Sequence, residues 1–235
     1  MCGRYTLTQA ERLEEIYAQR EMNFSPRYNV SPTQEMPIVL NESPDTLIAA
    51  RWGLLPIWAT DAAMAYKTIN AKVETVETLR SYKVPFRERR CLVPADGFYE
   101  WQPLPAKKKQ PYRFIVNSGE IFYFAGLWEN SKDKEGKPMR TYTIITGPAN
   151  GTVQPVHNRM PIILRPEFLG EWQAPETPIP RLKEILQSFP EELMKAYPVS
   201  TNVGSPRNDT PSLVEPVGSA EGAPFANEQM TFDSL

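Results

Sequence analysis

The sequence predicts an α+β fold whose core is a largely antiparallel β-sheet. Segments rich in β-branched and aromatic residues dominate the middle of the chain, whereas segments with helical periodicity lie near its ends. Proline accounts for 24 of 235 residues, about twice ordinary usage, which favours many short elements joined by ordered loops. No Gly/Ser-rich or charge-block linker divides the chain before its tail. We therefore expect one compact domain over residues 1–217 and a flexible, polar tail over 218–235.

One helix is expected near the N-terminus, over residues 8–20. Thr8 and Glu11 stand three residues apart, as in a capping box. Three apolar residues then share one helical face: Leu13, Ile16 and Tyr17. Further helical segments, two of them with proline near the start, are expected over 74–79, 166–172 and 180–186.

Seven extended segments are expected to supply the strands, and the last two of them are rich in aromatic and β-branched residues. They are 36–40, 47–52, 92–93, 98–102, 112–116, 121–128 and 141–146. A turn over 41–45 separates the first two, and a polar, Gly-containing connection over 132–137 separates the last two. Residues 27–32 are expected to form a proline-bounded loop.

Composition and charge exclude several broad classes of protein. Lys+Arg 26 against Asp+Glu 28 gives a formal net charge of −2, so any site for a polyanion must be a local patch. Two basic clusters are candidates, although the second is equally well explained as a solvated turn: Lys67, Lys72 and Arg80, and then Arg87, Arg89 and Arg90. The sequence contains no apolar run long enough for a membrane span and no secretory signal, so a soluble, reduced, intracellular protein is expected.

Cys2 is the most reactive feature of the sequence. Removal of Met1, which is usual before a small residue, leaves an α-amine and a thiol on one residue. The amine forms a Schiff base with an aldehyde, and the thiol closes onto the resulting carbon to give a thiazolidine ring. Because an unperturbed α-amine has a pKa of about 7.7–8.0, part of it is neutral and nucleophilic near pH 7. The alternative is an idle terminal cysteine.

Three polar residues are candidates for proton transfer or orientation. His157 is the only histidine, so any imidazole acid–base step must use it, although a lone histidine is often structural. Glu100 lies between two aromatic residues, which favours burial and a raised carboxyl pKa; the alternative is an edge-strand carboxylate that faces solvent. Asn70 offers a donor and an acceptor, but such residues commonly form turns or helix caps. Cys91 is expected to be a buried strand thiol, and two cysteines with one histidine do not form a usual zinc site.

Seven short motifs follow one another along the chain. They are Met1–Arg4, Arg27–Pro32, Trp52–Leu54, Asn70–Thr75, Pro94–Trp101, His157–Pro161 and Tyr197–Ser200. Together, over roughly residues 1–215, they resemble the SOS-response-associated peptidase family. Two positions depart from the family pattern: Lys72 stands where arginine is frequent, and Asn158 where aspartate is frequent. Lysine keeps the positive charge but loses the planar fork of arginine.

The resemblance implies an enzyme that senses abasic sites in single-stranded DNA. Cys2 is then the nucleophile of a thiazolidine DNA–protein crosslink, and Asn70 orients its amine. Glu100 shuttles protons for ring closure and reversal, while His157 assists opening of the sugar and the phosphate-side steps. AP-lyase activity through the Schiff base is also implied. The DNA contacts implied are Arg4, Pro32, Trp58, Lys72, Arg80 and Arg159.

Pattern and resemblance together predict a single compact domain with a barrel-like sheet core and short flanking helices. No cofactor and no metal are expected. The expected partner is single-stranded DNA containing abasic sites, bound by a monomer that does not associate with membranes and is cytoplasmic, or nucleoid-associated on DNA in a bacterium. Two alternatives stay open. One is a cysteine peptidase with autoproteolytic N-terminal processing, in which His157 is the base for Cys2; the other is a non-catalytic module that binds single strands through Trp58 and basic residues.

Overall fold

The structure, a computed structural model, describes residues 2–18, 24–59, 61–133 and 135–218. These residues form short helices and strands connected by turns, several of them 3-10 turns. The strands are β1 (Tyr5–Leu7), β2 (Arg27–Val30), β3 (Glu35–Leu40), β4 (Leu47–Trp52), β5 (Asn70–Lys72), β6 (Arg90–Ala95), β7 (Gly97–Pro103), β8 (Lys109–Val116), β9 (Phe122–Lys132), β10 (Pro138–Pro148), β11 (Arg159–Pro161), β12 (Ile163–Leu164) and β13 (Met194–Pro198). The α-helices are α1 (Ala10–Ile16), α2 (Lys83–Glu88), α3 (Leu169–Gln173) and α4 (Ile179–Ile185).

Five strands close into a mixed barrel in the order β4, β3, β6, β9 and β10. All neighbours in this ring are antiparallel except the last, because β10 returns parallel to β4 with Thr141 opposite Arg51 and Tyr142 opposite Trp52. Strands β5 and β11 also pair with β10, and β12 pairs with β9. The predicted α+β fold, with a largely antiparallel and barrel-like core, is confirmed.

A second sheet of five strands, in the order β13, β8, β7, β1 and β2, carries the start of the chain. Strand β1 runs antiparallel to β7, with Tyr5 opposite Phe98, and the Tyr99 N–H donates to the Arg4 carbonyl at 3.0 Å. Since β7 directly follows barrel strand β6, this pairing places the first residues of the chain beside the barrel.

Tyr5 joins the second sheet to the barrel through aromatic packing. Its ring centroid lies 5.2 Å from that of Trp52 and 5.9 Å from that of Phe124, both in near edge-to-face arrangements. Its hydroxyl is 2.8 Å from the hydroxyl of Tyr142. All four side chains are buried, so β1 is held by apolar packing and by a buried hydroxyl pair.

The Asp96 carboxylate, between β6 and β7, fastens the residues on either side of Leu7. One oxygen accepts hydrogen bonds from the Thr6 hydroxyl at 2.5 Å and from the Arg113 guanidinium at 3.1 Å. The other accepts from the Thr8 hydroxyl at 2.7 Å, the Thr8 N–H and the Gln9 N–H. Asp96 is 3% and Arg113 8% exposed. A buried carboxylate with this many hydrogen-bond partners fixes the entry into α1.

The capping box predicted for the first helix is wrong. The Thr8 hydroxyl bonds to Asp96 instead of capping the N–H of Glu11, and α1 begins later, at Ala10. A contact between distant segments has replaced the local one that the sequence suggested. The helix ends at Ile16, and the last residues of the predicted span, 19 and 20, lie outside the described residues.

The seven predicted strands are found as β3, β4, β6, β7, β8, β9 and β10, and the two late helices as α3 and α4. A turn is also found within 74–79, where the Leu79 N–H donates to the Thr75 carbonyl at 3.0 Å. The loop predicted over 27–32 is wrong, because 27–30 is strand β2. Helix α2 was not predicted. Of the predicted tail, only Gly218 lies within the described residues.

No helix among the residues that the structure describes combines the length and the apolar character needed to cross a membrane.

We predict that Asp96→Ala lowers the free energy of unfolding by about 3–5 kcal/mol, because it leaves the Arg113 guanidinium buried without its counter-ion. Thermal or urea unfolding followed by circular dichroism measures the change. Asp45→Ala is the control, since Asp45 is exposed and its replacement should stay within about 0.5 kcal/mol of wild type. Equal stability of the two variants would contradict the role given to Asp96.

Candidate active site

Cys2 lies three residues before Tyr5 and is fully buried. Its thiol donates a long hydrogen bond to the Arg4 carbonyl, with 3.6 Å between sulfur and oxygen. Burial, and secondarily the negative charge of Glu100, raise the pKa of the thiol well above its ordinary value. The sulfur is therefore held as a neutral thiol, and a reaction that uses it must remove its proton as the new bond forms.

Asn70 holds the main chain of Cys2. It begins β5, which runs parallel to β10 with Asn70 opposite Ile144, and its own carbonyl accepts a hydrogen bond from the Tyr82 hydroxyl at 3.1 Å. Its side-chain Nδ2 donates to the Cys2 carbonyl at 2.7 Å. The Oδ1 atom is buried and has no hydrogen-bond partner among the described residues. The amide thus leaves an acceptor beside the residue that it fixes.

Glu100 occupies a buried position on β7 and is 4% exposed. The solvent-facing alternative considered for this residue is wrong. Burial raises the pKa of its carboxyl to about 7. A carboxyl with this pKa exists in both protonation states at neutral pH, so it can donate a proton in one step and accept one in another.

His157 lies next to Glu100. Its Nδ1 atom is 4.0 Å from Glu100 Oε1 and 3.0 Å from the Arg159 N–H, which donates to Nδ1 in the tautomer that carries its proton on Nε2. Burial is the main cause that lowers the pKa of the imidazole, and the Arg159 charge adds to it. The ring is thus neutral at neutral pH and lies beside the Glu100 carboxyl, whose pKa is about 7.

The structure brings together the four residues predicted to be catalytic, although they come from four separate segments. Asn70 contacts Cys2 directly, Glu100 faces His157, and the Glu100 charge acts on the Cys2 thiol. The arrangement combines a nucleophile, an orienting amide and two proton carriers. Among the described residues, no group of three or more His, Cys, Asp or Glu side chains is arranged to hold a metal ion.

Cations and an exposed aromatic side chain also belong to the predicted site. The Arg80 guanidinium lies over the Trp58 ring, 4.3 Å from its centroid, and Trp58 is 40% exposed. Lys72 is exposed and follows Asn70 by two positions. Pro32 is partly buried in the turn between β2 and β3, in which Thr33 adopts a φ of 76°.

The Arg4 guanidinium binds within the protein. Nη1 donates to Asn29 Oδ1 at 3.0 Å and to the Val203 carbonyl at 2.8 Å, and Nη2 donates to the Gly204 carbonyl at 3.3 Å. Arg4 therefore ties the start of the chain to a segment close to its C-terminal end. Its predicted contact with DNA stays a prediction.

Two arginines of the second basic cluster, Arg89 and Arg90, bind the protein itself, whereas Arg87 is exposed on α2. Arg90 is fully buried and donates to the carbonyls of four residues: Phe86, Arg87, Trp172 and Ala174. Arg89 forms an ion pair with Glu129 at 3.1 Å. Cys91 is a buried strand thiol, as predicted. Only the tertiary structure shows that these arginines bind the protein itself.

Two residues that contact residues of the candidate site were not recognised in the sequence. Tyr82 binds the Asn70 main chain, and Glu74 binds the side chain of Arg159. Glu74 lies within the Asn70–Thr75 motif, which is the one sequence signal that points to it. Tyr82 lies outside every motif, and nothing in its surrounding sequence distinguishes it.

The family model described as SOS response associated peptidase (SRAP) matches residues 1–206. The chain belongs to the SRAP family. This SRAP chain is 41% identical over 224 residues to the abasic site processing protein YoqW of Bacillus subtilis, covering 92% of this chain and 99% of that protein. It is 35% identical to the abasic site processing protein HMCES of Gallus gallus, covering 84% of this chain and 68% of the relative.

The SRAP fold is also seen in solved structures. A protein from Bacteroides thetaiotaomicron superposes with a TM-score of 0.80 at 26% sequence identity, covering 92% of this chain and 100% of that one. A protein from Bordetella bronchiseptica superposes with a TM-score of 0.66 at 33% identity, covering 84% and 94%. The family suggested by the sequence motifs is confirmed.

We expect the free energy of unfolding of the wild-type protein to fall as the pH rises, because Glu100 loses its proton. We predict that Glu100→Gln removes this fall. The pKa of Glu100 is about 7 in the folded protein and about 4.5 when the group is solvated. Its protonation therefore contributes fully to the free energy of unfolding below pH 4.5, and this contribution is lost as the pH rises to 7. The loss is about 3 kcal/mol at 1.36 kcal/mol per pKa unit.

Urea unfolding at pH 4, 6 and 8 measures this difference. Glu100→Gln should gain stability over wild type between pH 4 and pH 8, whereas Glu35→Gln, at an exposed position, should follow wild type throughout. Parallel pH profiles for Glu100→Gln and wild type would show that Glu100 titrates normally.

Proposed function

We propose that this SRAP protein processes abasic sites in single-stranded DNA, and that it does so by forming a covalent crosslink through Cys2 after removal of Met1. The relatives named above are abasic site processing proteins, and most of this chain aligns with them. An abasic deoxyribose is in equilibrium with an open-chain aldehyde. An N-terminal cysteine, with an amine and a thiol on one residue, captures aldehydes.

The hydrogen bond from Asn70 to the Cys2 carbonyl carries this proposal. That bond, at 2.7 Å, fixes the main chain of the residue whose nitrogen becomes the α-amine. The Asn70 Oδ1 atom, which lacks a partner among the described residues, is an acceptor for an N–H of that amine. An amine oriented in this way presents its lone pair in a fixed direction, which lowers the entropic cost of attack.

The chemistry proceeds through an imine. The α-amine adds to the C1′ aldehyde, and the carbinolamine loses one water with the help of an acid. The Cys2 sulfur then attacks the imine carbon and its proton passes to a base, closing the thiazolidine. Glu100, with a pKa of about 7, acts first as acid and then as base. The net change is one aldehyde converted to a thiazolidine with release of one water.

The raised pKa of the Cys2 thiol favours this route over peptidase chemistry. A cysteine peptidase activates its nucleophile as a thiolate beside a histidine, which lowers the thiol pKa. Here burial raises that pKa, and the His157 Nδ1 atom faces Glu100 and the Arg159 backbone. The neutral thiol instead suits an attack in which the proton leaves as the carbon–sulfur bond forms.

The same residues account for lyase activity and for reversal. Before the thiol closes the ring, the Schiff base acidifies the adjacent sugar carbon and permits β-elimination of the 3′ phosphate, with His157 as a proton acceptor next to Glu100. Closure of the thiazolidine removes the imine and so protects the strand. Protonation of the ring sulfur by Glu100 reopens the thiazolidine to the imine, and addition of one water to that imine releases the aldehyde and returns the free amine and thiol of Cys2.

The single strand is bound by the cations and the exposed ring around this site. Arg and Lys side chains neutralise phosphates, and an aromatic ring stacks on an unpaired base. The residues assigned to this surface are Arg4, Pro32, Trp58, Lys72, Arg80 and Arg159. The Arg80 guanidinium lies over the Trp58 ring. Trp58 can therefore stack on a base while Arg80, beside it, binds a phosphate of the same nucleotide.

We predict that Cys2→Ser abolishes the thiazolidine crosslink, because a hydroxyl does not replace the thiol in ring closure. An oligonucleotide with one abasic site, incubated with the processed protein and run on a denaturing gel, shows the crosslink as a shifted band. Cys91→Ala is the matched control, because Cys91 is a buried barrel thiol and should leave the band intact. A band of equal intensity with Cys2→Ser would refute the proposal.

An extra residue placed ahead of Cys2 tests the amine. It should abolish the crosslink and also the Cys2-dependent lyase activity, whereas Cys2→Ser keeps the amine. Intact mass tests the autoproteolytic alternative: in cells with active methionine aminopeptidase, Glu100→Gln and His157→Ala should lose Met1 as wild type does. Retention of Met1 in both variants would favour a self-cleaving peptidase.

We predict that Trp58→Ala weakens binding to an unmodified single-stranded oligonucleotide by about 1–3 kcal/mol, the usual contribution of one stacked base. Fluorescence anisotropy at fixed salt measures the dissociation constant. Phe168→Ala is the control, since Phe168 also carries an arginine, Arg181, at 5.1 Å but lies in a segment that is not assigned to DNA. The same loss of affinity in both variants would argue against a specific stacking position at Trp58.

A further inference from the structure

Glu74 and Arg159 form a two-pronged ion pair at the edge of the candidate site. Arg159 Nη1 donates to Glu74 Oε1 at 2.8 Å, and Nη2 donates to Oε2 at 2.9 Å. The Arg159 side chain is 17% exposed and that of Glu74 is 47% exposed. The guanidinium is thus largely enclosed, and the carboxylate covers its donor edge from the solvent side.

The protein fixes the arginine more firmly than the carboxylate. Arg159 begins β11, with Pro148 of β10 opposite it, and its Nη2 also donates to the Thr146 carbonyl at 2.7 Å. Its main-chain N–H donates to the His157 imidazole. Glu74 follows β5 in a turn. A ligand that approaches from solvent therefore meets the movable partner first.

Two carboxylate oxygens on an arginine fork occupy the same donors that two phosphate oxygens would occupy. Under the proposed function, Arg159 binds a phosphate of the DNA strand. The two anions cannot use the same two N–H donors at once, so the phosphate must displace the carboxylate. Lys72 lies close enough for its charge to stabilise the Glu74 carboxylate, which gives the displaced group a second cation.

We propose that Glu74 occupies the phosphate position of Arg159 in the free protein and acts as an internal competitor of the DNA backbone. This inference rests on the proposed function and adds to it a residue that sets affinity without taking part in the chemistry. A DNA strand can bind Arg159, beside His157, only if it displaces the Glu74 carboxylate. The strand must therefore make enough further contacts, with the other cations and with Trp58, to offset the lost ion pair.

Glu74→Gln should tighten binding to a lesion-free single-stranded oligonucleotide by about two- to fivefold, the range expected for release of a partly exposed ion pair. Fluorescence anisotropy at two salt concentrations measures the dissociation constants. Glu77→Gln is the matched control, because it removes the same charge three positions along the chain from a pair with Lys183 at 3.2 Å. Its effect should be smaller, since it reports only the general loss of one negative charge.

A double-mutant cycle with Arg159→Gln identifies the target of the competition. The gain from Glu74→Gln should shrink to that of Glu77→Gln once Arg159 is replaced. If Arg159→Gln does not fold, Arg159→Lys serves instead, because lysine keeps the charge but cannot hold both oxygens in a fork. Weaker binding by Glu74→Gln, a gain no larger than that of Glu77→Gln, or a gain that persists without the arginine fork would each overturn the proposal.

Crosslinking separates this inference from the proposed function. At saturating abasic oligonucleotide, Glu74→Gln should crosslink at the wild-type rate, because the carboxylate does not act in the chemical steps; a slower rate would overturn a role confined to binding. Absence of any crosslink with wild type would refute the proposed function, whereas the affinities for lesion-free DNA would still decide whether Glu74 competes for Arg159.

Discussion

The buried Asp96 carboxylate holds the first strand of the chain, and the position of Cys2 depends on that attachment. Chain termini usually fray, because few contacts offset the entropy of their last residues. Here Asp96 binds the segment after Cys2 with both oxygens, and the Arg113 guanidinium forms an ion pair with the same carboxylate at 3.1 Å. Asn70 then fixes the Cys2 carbonyl itself. Cys2 is thereby held by contacts from segments far along the chain, and the candidate site is built around it.

Burial shifts the pKa values of three neighbouring groups of the candidate site, each toward the neutral form of the group. It raises the pKa of the Cys2 thiol, raises that of Glu100 to about 7 and lowers that of His157. Each shift disfavours the charged form, as desolvation requires. The reactive groups of the enclosed site therefore carry little net charge, and burial favours their neutral forms. Such an arrangement suits a reaction that must run in both directions.

Local sequence patterns predicted the strands of the barrel, and the order of the family motifs suggested candidate residues for the site, but neither predicted the contacts that join them. Strand β9 begins with several aromatic residues and β10 is rich in β-branched residues, so their propensity alone identifies them. Strand β2 is short, and it is fixed by β1 and by Asp209, whose carboxylate accepts from two of its N–H groups, so nothing local marks it. The burial of Glu100 followed from its aromatic neighbours, whereas the ion pair of Glu74 required residues far apart in sequence to be placed together.

The hydrogen bonds from the Arg4 guanidinium to the carbonyls of Val203 and Gly204 affect the order in which contacts form while the chain is being translated. A ribosome makes Arg4 about 200 residues before the segment that accepts these bonds. Until that segment emerges, Arg4 lacks these two partners. The attachment of the residues next to Cys2 is therefore completed late, after most of the described strands have been made.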